Sequence, residues 1–332
     1  MSPRQVFHWS RDTPIPPARV AAAAITLATP VAYGVATDNL AHAGLAALGA
    51  LGATGAPRFT FAGRWLPTTA GLAAGGVLVT LAGLSGAWLG GNGWATAVGV
   101  VGLVVIAAVL GGFSRQAAEL SARFTTFLVI ATGVPGPPWE AAQWFAVGAA
   151  WAVVVGVALA PRDEQPAAPT YRQLARRWSR NLRTMDGWRY AATLAPVVAL
   201  AELIGVFWHQ DKTYWIALTV LIVVRRRGGS LLRATERCLG TLAGVLIGGG
   251  VILWAPPAWG IVAIIAVLAG LRPLLRERNY AAYAAVMTPL LVLLLDLGRT
   301  PELSTVGYRM IDTIIGCLLA LLPMIFRRNR VG

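Results

Sequence analysis

Apolar runs of 13 to 24 residues follow one another along almost the whole chain, separated by short clusters of arginine, proline and glycine. They cover 20–37, 40–57, 66–89, 94–112, 122–135, 142–160, 190–208, 213–225, 237–255, 259–271, 280–297 and 307–326. A helix crosses the hydrocarbon core of a bilayer in about 20 residues, so most of these runs are long enough. From Trp65 to Ser114 there is no charged residue at all. A soluble fold would need a larger core than 332 residues can build around such a stretch. The pattern predicts an all-α, polytopic transmembrane bundle of about twelve spans. The runs 213–225 and 259–271 are short and predict tilted, broken or re-entrant segments.

Composition agrees with the pattern. The chain is 56% hydrophobic and 13% charged, against roughly 25% charged in soluble domains. The formal charge of +14 would suggest nucleic acid in a soluble protein. Here it has a different meaning. With the N-terminus inside, only Lys212, Arg299 and Arg309 of the 28 basic residues fall on the outer side, as the positive-inside rule requires. Both termini are therefore expected in the cytoplasm of a bacterial cell, with the protein in the inner membrane.

Residues 161–189 begin Pro-rich and continue with Tyr171, Leu174, Trp178 and Leu182 at helical spacing among arginines. That is an amphipathic basic helix suited to the anionic inner leaflet, so lipid rather than nucleic acid is the expected partner. The lead 1–19 lacks a signal-peptide layout, so the first span is expected to be retained. Cys238 and Cys317 lie in apolar runs and give neither a disulfide framework nor a metal spacing. No phosphate-binding Gly-rich loop, zinc signature or nucleophilic triad is present. The sequence calls for no cofactor, no metal and no enzymatic role.

The runs repeat. Residues 38–76 align without a gap on 211–249, at an offset of 173, with 11 of 39 positions identical. Asp38 matches Asp211, Arg64 matches Arg237, Thr68 matches Thr241, and Gly71 and Gly75 match Gly244 and Gly248. The expected organisation is a six-span repeat over 20–160, the linker 161–189, a parallel six-span repeat over 190–326 and a tail 327–332. The second copy has Arg225, Arg226 and Arg227 where the first has Gly52, Ala53 and Thr54.

Several residues are candidates for chemistry. Arg237 and Arg64 open their spans, with Arg233 and Thr241 beside Arg237. An arginine near a helix N-terminus suits an anion, and it equally suits anchoring to lipid phosphates. Gly240, Gly244 and Gly248 share a face, as do Gly71 and Gly75, and permit close helix packing. Glu202 lies inside a span, where a carboxylate is a candidate proton carrier. Arg309 and Asp312 are three apart, a spacing for an ion pair on one face or for coupling, and Gly316 follows one turn on. Asp38, Asp211 and Asp296 sit at span ends, where capping accounts for them.

The motif built from Trp215, Arg233, Arg237, Leu239, Gly240, Thr241, Gly244 and Gly248 resembles the core of the FUSC family, the fusaric acid resistance or aromatic acid exporter family. Asn279, Tyr280, Thr288, Pro289, Asp296, Arg309, Asp312, Thr313 and Gly316 resemble its later signature. The likeness covers about 190–327, and the first half looks like a degenerate copy. The resemblance implies efflux of aromatic and other small organic anions. Distant plant malate channels in the same group imply a homodimer. Many bacterial members carry a larger cytosolic domain where this chain has a short linker. An uncoupled anion channel and a non-transporting envelope scaffold are the alternative functions.

Overall fold

In the computed structural model, residues 9, 16–54, 60–61, 64–65, 68–159, 171–208, 214–224, 231–298 and 303–328 are described. Among them are thirteen helices. The first six are α1 (Pro17–Ala36), α2 (Leu40–Ala53), α3 (Thr68–Leu89), α4 (Trp94–Leu110), α5 (Arg115–Ala131) and α6 (Pro138–Leu159). The linker forms α7 (Tyr171–Arg183). Then come α8 (Met185–Phe207), α9 (Tyr214–Val223), α10 (Leu231–Trp254), α11 (Ala258–Arg278), α12 (Tyr280–Leu295) and α13 (Leu303–Arg328). Each of the twelve apolar runs thus contains a helix or most of one among the described residues. Two strands of two residues each, β1 (Thr60–Phe61) and β2 (Arg64–Trp65), pair antiparallel between α2 and α3.

Six helices are long and apolar enough to cross a membrane: α1, α3, α6, α8, α10 and α11. Four more, α2, α4, α9 and α12, are apolar but shorter. Of the two runs expected to be short, one is longer than its apolar part. The run 259–271 continues through Pro273 and the charged residues to Arg278, giving a helix of 21 residues. The other is short in fact: α9 has ten residues, about 15 Å of helix. Its partner in the repeat, α2, has 14.

These two short helices are the most enclosed in the bundle. Eight of the ten α9 residues and ten of the 14 α2 residues are buried. A helix that stops inside a bundle must have its last carbonyls satisfied by other groups. Arg123 of α5 donates from Nη1 to Gly52 O and Thr54 O at the end of α2. Tyr190 of α8 donates from its hydroxyl to Val224 O at the end of α9.

The packing partners of the first six helices recur in the last six. α3 packs on α6 and α5, and α10 packs on α13 and α12. α2 packs on α1 and α6, and α9 packs on α8 and α13. Between the halves, α1 packs on α11 and α8 on α4, while α2 meets α12 and α9 meets α5. Local signals follow the same pairing. Ser114 caps α5 by accepting from Ala117 N, and Asn279 caps α12 by accepting from Ala282 N. The linker helix lies against α8, and its Trp178 donates from Nε1 to Val109 O at the end of α4.

Candidate functional site

The chemistry is concentrated where α9, α10, α12 and α13 meet. On α10 the buried residues are Ala234, Arg237, Gly240, Thr241, Gly244 and Gly248. Leu239, Leu242, Leu246 and Ile247, which a soluble helix would bury, are exposed. On α13, Arg309, Asp312, Thr313, Cys317 and Ala320 are buried, while Tyr308, Ile311, Ile314 and Leu318 are exposed. Both helices turn small and polar residues inward and large apolar ones outward. That inversion belongs to helices surrounded by lipid, where small residues let backbones approach.

The approach is close. A side chain at Gly240 would collide with Ala281 O, and one at Gly244 would meet Ala285 O and Thr288. One at Gly316 would meet Ile216 O of α9 at 2.8 Å. Gly248 has only ordinary contact with Pro289. Pro289 has no N–H to donate to Ala285 O, so a backbone carbonyl of α12 is released beside α10.

Three charges are enclosed here. Arg237 and Arg309 are each 2% exposed and Asp312 is 0%. The guanidinium of Arg309 lies 3.0 Å from the ring centroid of the buried Trp215. The groups that act electrostatically on Arg309 are Arg237, Tyr214, Asp312 and Asp296. Arg237 Nε, Arg309 Nε and Thr241 Oγ1 are enclosed without a hydrogen-bond partner among the described residues. Neighbouring hydroxyls are already engaged: Thr288 donates to Ala284 O and Thr313 to Arg309 O. Unmet guanidinium N–H groups beside a free hydroxyl form a donor set that an oxyanion satisfies. A cavity of about 10 Å³ borders Arg309, between Gly244, Gly248, Thr288 and Pro289. It has room for about one water and none for an organic anion.

The unpartnered hydroxyl of Thr241 makes a test. Thr241→Val keeps the shape and removes a buried polar atom whose isolation costs about 1–3 kcal/mol. The variant is expected to unfold at the same temperature as the wild type or higher, read by tryptophan fluorescence during heating.

The other sequence candidates fall elsewhere. Arg233 lies one turn before Arg237, outside the enclosed cluster, with its guanidinium 4.6 Å from the ring centroid of Tyr280. Glu202 is partly buried on α8 and is not among the charges that act on Arg309. Arg64 lies in β2 rather than in a helix, and its side chain is outside the described residues, as are Arg225, Arg226 and Arg227. Arg64 aligns with Arg237 in the sequence repeat, but a strand pair ahead of α3 stands where α10 has its first turns. Gly71 and Gly75 are buried on α3, and the tight contacts of that helix fall at Gly76 against Ala149, Gly83 against Phe145 and Gly86 against Leu128 O. Trp215 entered the sequence reading only as part of a motif, yet it is the ring under Arg309.

Residues 197–322 match the family described as fusaric acid resistance protein-like. That stretch contains Arg237, Thr241, Arg309 and Asp312. Two curated relatives come from Escherichia coli K12. The uncharacterized protein YhfK is 32% identical over 133 residues, 40% of this chain and 19% of the relative. The inner membrane protein YccS is 32% identical over 135 residues, 40% of this chain and 18% of the relative. The chain thus spans less than a fifth of the length of either relative. No solved structure matches.

Proposed function

We propose that this chain, a helical membrane protein with a fusaric acid resistance protein-like region over residues 197–322, is a bacterial inner-membrane transporter that exports small organic anions. The observation that carries the reading is the enclosed cluster of Arg237, Arg309, Asp312, Trp215 and Thr241, with Arg309 bordering the small cavity. Burying two guanidiniums is expensive unless they are paired or serve a function. An aromatic carboxylate complements this set on both counts. Its carboxylate meets the guanidinium donors, and its ring resembles the face that Trp215 offers.

Twelve spans in two parallel six-helix repeats, with both ends cytoplasmic, are the layout that fits. The one-sided distribution of arginines and the recurrence of the packing partners support it. The short helices α2 and α9 would lie near the pseudo-twofold, as interrupted helices do at transport sites. Arg233 would draw anions toward Arg237 from the cytoplasmic end, and Arg64 would do so in the first half. The basic helix α7 would rest on the anionic leaflet.

The test is flux. Proteoliposomes containing the full chain should move labelled benzoate or a related aromatic acid faster than empty vesicles. No flux over a panel of aromatic and aliphatic carboxylates would overturn the reading and leave a scaffold.

Coupling to protons is assigned to Asp312, because it shares the enclosed site with both arginines, with Glu202 as a second carrier on α8. Asp312→Asn fixes the neutral form of the side chain. Flux in the variant is expected to lose its response to an imposed pH gradient, while the wild type gains severalfold. An undiminished response would remove Asp312 from the coupling, and no response in either protein would indicate a channel.

A further inference from the structure

A second concentration of positive charge, partly enclosed, lies where the halves meet, at the end of the bundle where α2 and α11 finish and α12 begins. Arg123 of α5 donates from Nη1 to Gly52 O at 3.2 Å and to Thr54 O at 2.9 Å. Arg272 of α11 turns its Nη2 toward Thr54 Oγ1 at 3.5 Å. The residue as a whole is partly exposed, but its Nε and Nη1 are enclosed and have no hydrogen-bond partner among the described residues. Arg276, one turn further and exposed, acts electrostatically on both Arg123 and Arg272. Tyr283 of α12 is close enough to Arg272 to act on it electrostatically.

The compensation is thin. The carboxylate that acts on Arg123 is Glu119, which is 42% exposed and bonded to Arg115 at 3.3 Å. Arginine does not shed its proton in proteins, so the three guanidiniums repel one another across the junction. Arg123 has a structural use, since it closes the end of α2. Arg272 and Arg276 have none comparable. Neither capping nor packing explains the two enclosed N–H groups of Arg272, on Nε and Nη1, that have no hydrogen-bond partner among the described residues.

We propose that Arg272, Arg276, Tyr283 and Arg123 form a site for a phosphate oxyanion at the junction of the two halves, separate from the Arg237–Arg309 site. Two forks and a phenol supply more donors than one planar carboxylate needs and suit a tetrahedral oxyanion. The site is within the last two turns of α11 and the first turn of α12, so it lies at the polar end of the bundle, at headgroup depth. The phosphate can belong to an anionic lipid or be free in solution. In either case it bridges α11 of one half to α2 and α5 of the other.

The experiment uses the full chain in phosphatidylcholine nanodiscs and reads the unfolding midpoint. Two probes are added separately at matched ionic strength, with chloride as the reference: inorganic phosphate, and phosphatidylglycerol incorporated into the disc. At least one probe is expected to raise the midpoint. Arg272→Gln and Arg276→Gln are each expected to weaken that response at least tenfold in half-saturating concentration, while Arg115→Gln, on the exposed surface, leaves it unchanged. A response to phosphatidylglycerol alone identifies a lipid, and a response to phosphate alone identifies a free anion. The proposal fails if neither probe shifts the wild type, or if the shift survives in both cluster variants. Arg276 is exposed, so its variant folds even if the Arg272 variant does not.

Discussion

Arg309→Gln is expected to reduce carboxylate flux to that of empty vesicles, while the protein still unfolds at or above the wild-type temperature. The two halves of this expectation come from the same geometry. Arg309 is enclosed, stacked on Trp215, with Nε lacking an acceptor among the described residues. Truncating one member of a desolvated charge pair costs roughly 2–5 kcal/mol of binding, which is about 30- to 4,000-fold in affinity at 1.4 kcal/mol per factor of ten. Glutamine is shorter, uncharged and lacks the fork. Stability moves the other way, because Arg309 is an enclosed cation whose Nε has no acceptor among the described residues and which Arg237 repels, so glutamine removes an incompletely compensated buried charge. Arg309→Lys is expected to recover part of the flux, since the charge returns but the flat face on Trp215 and the second donor pair do not. Wild-type flux in both variants would remove Arg309 from the pathway. Loss of flux together with a lower unfolding temperature would make its role structural.

The outline of this fold could be read from hydropathy because lipid imposes a single demand, an apolar helix of sufficient length, and all twelve runs meet the helical part of it. The motif around Arg237, and Arg309 with Asp312, was legible for a related reason. A charge inside an apolar run is conspicuous, and its spacing to glycine shows which face it shares. What hydropathy does not reveal is which helices touch. Glu202 is as conspicuous in the sequence as Asp312, but α8 holds it away from the charges around Arg309. Arg123 and Arg272 looked like ordinary loop-side arginines, since their meeting at Thr54 joins residues 69 and 218 positions from that threonine. The repeat alignment led to Arg64 because it compares residues and not backbones, and a strand pair had replaced the helical turns. The linker helix α7 was readable because its amphipathic spacing is local. Close backbone crossings were the least legible. Glycine is abundant throughout, and only the three-dimensional path separates the ones that are compressed from the ones that face lipid.

Gly148→Ala makes that separation measurable. α2 and α6 cross with their backbones almost in contact. A side chain at Gly148 would strike Ala46 O and C, and one at Gly49 would strike Phe145 O, Cα and C. Both obstacles are backbone atoms, which cannot swing away as a side-chain end can. The helices must separate, and α2 is held on its other sides by α1, α3 and α12. Overpacking a core costs about 1–3 kcal/mol and occasionally more, and a backbone obstacle puts this case at or above the top of that range. At roughly 2–4 °C per kcal/mol for a chain of this order of size, the unfolding midpoint should fall by about 10 °C. Gly102 provides the comparison, because nothing lies within 4 Å of the position a side chain would take. Alanine there removes the backbone entropy penalty of a helical glycine, a gain of about 0.5–1 kcal/mol, so Gly102→Ala should unfold slightly later than the wild type. Equal midpoints for the two variants would mean that α2 and α6 do not cross this closely. Opposite shifts would place the tightest seam of the first half at Gly49 and Gly148, where α6 meets the short helix that ends beside Arg123.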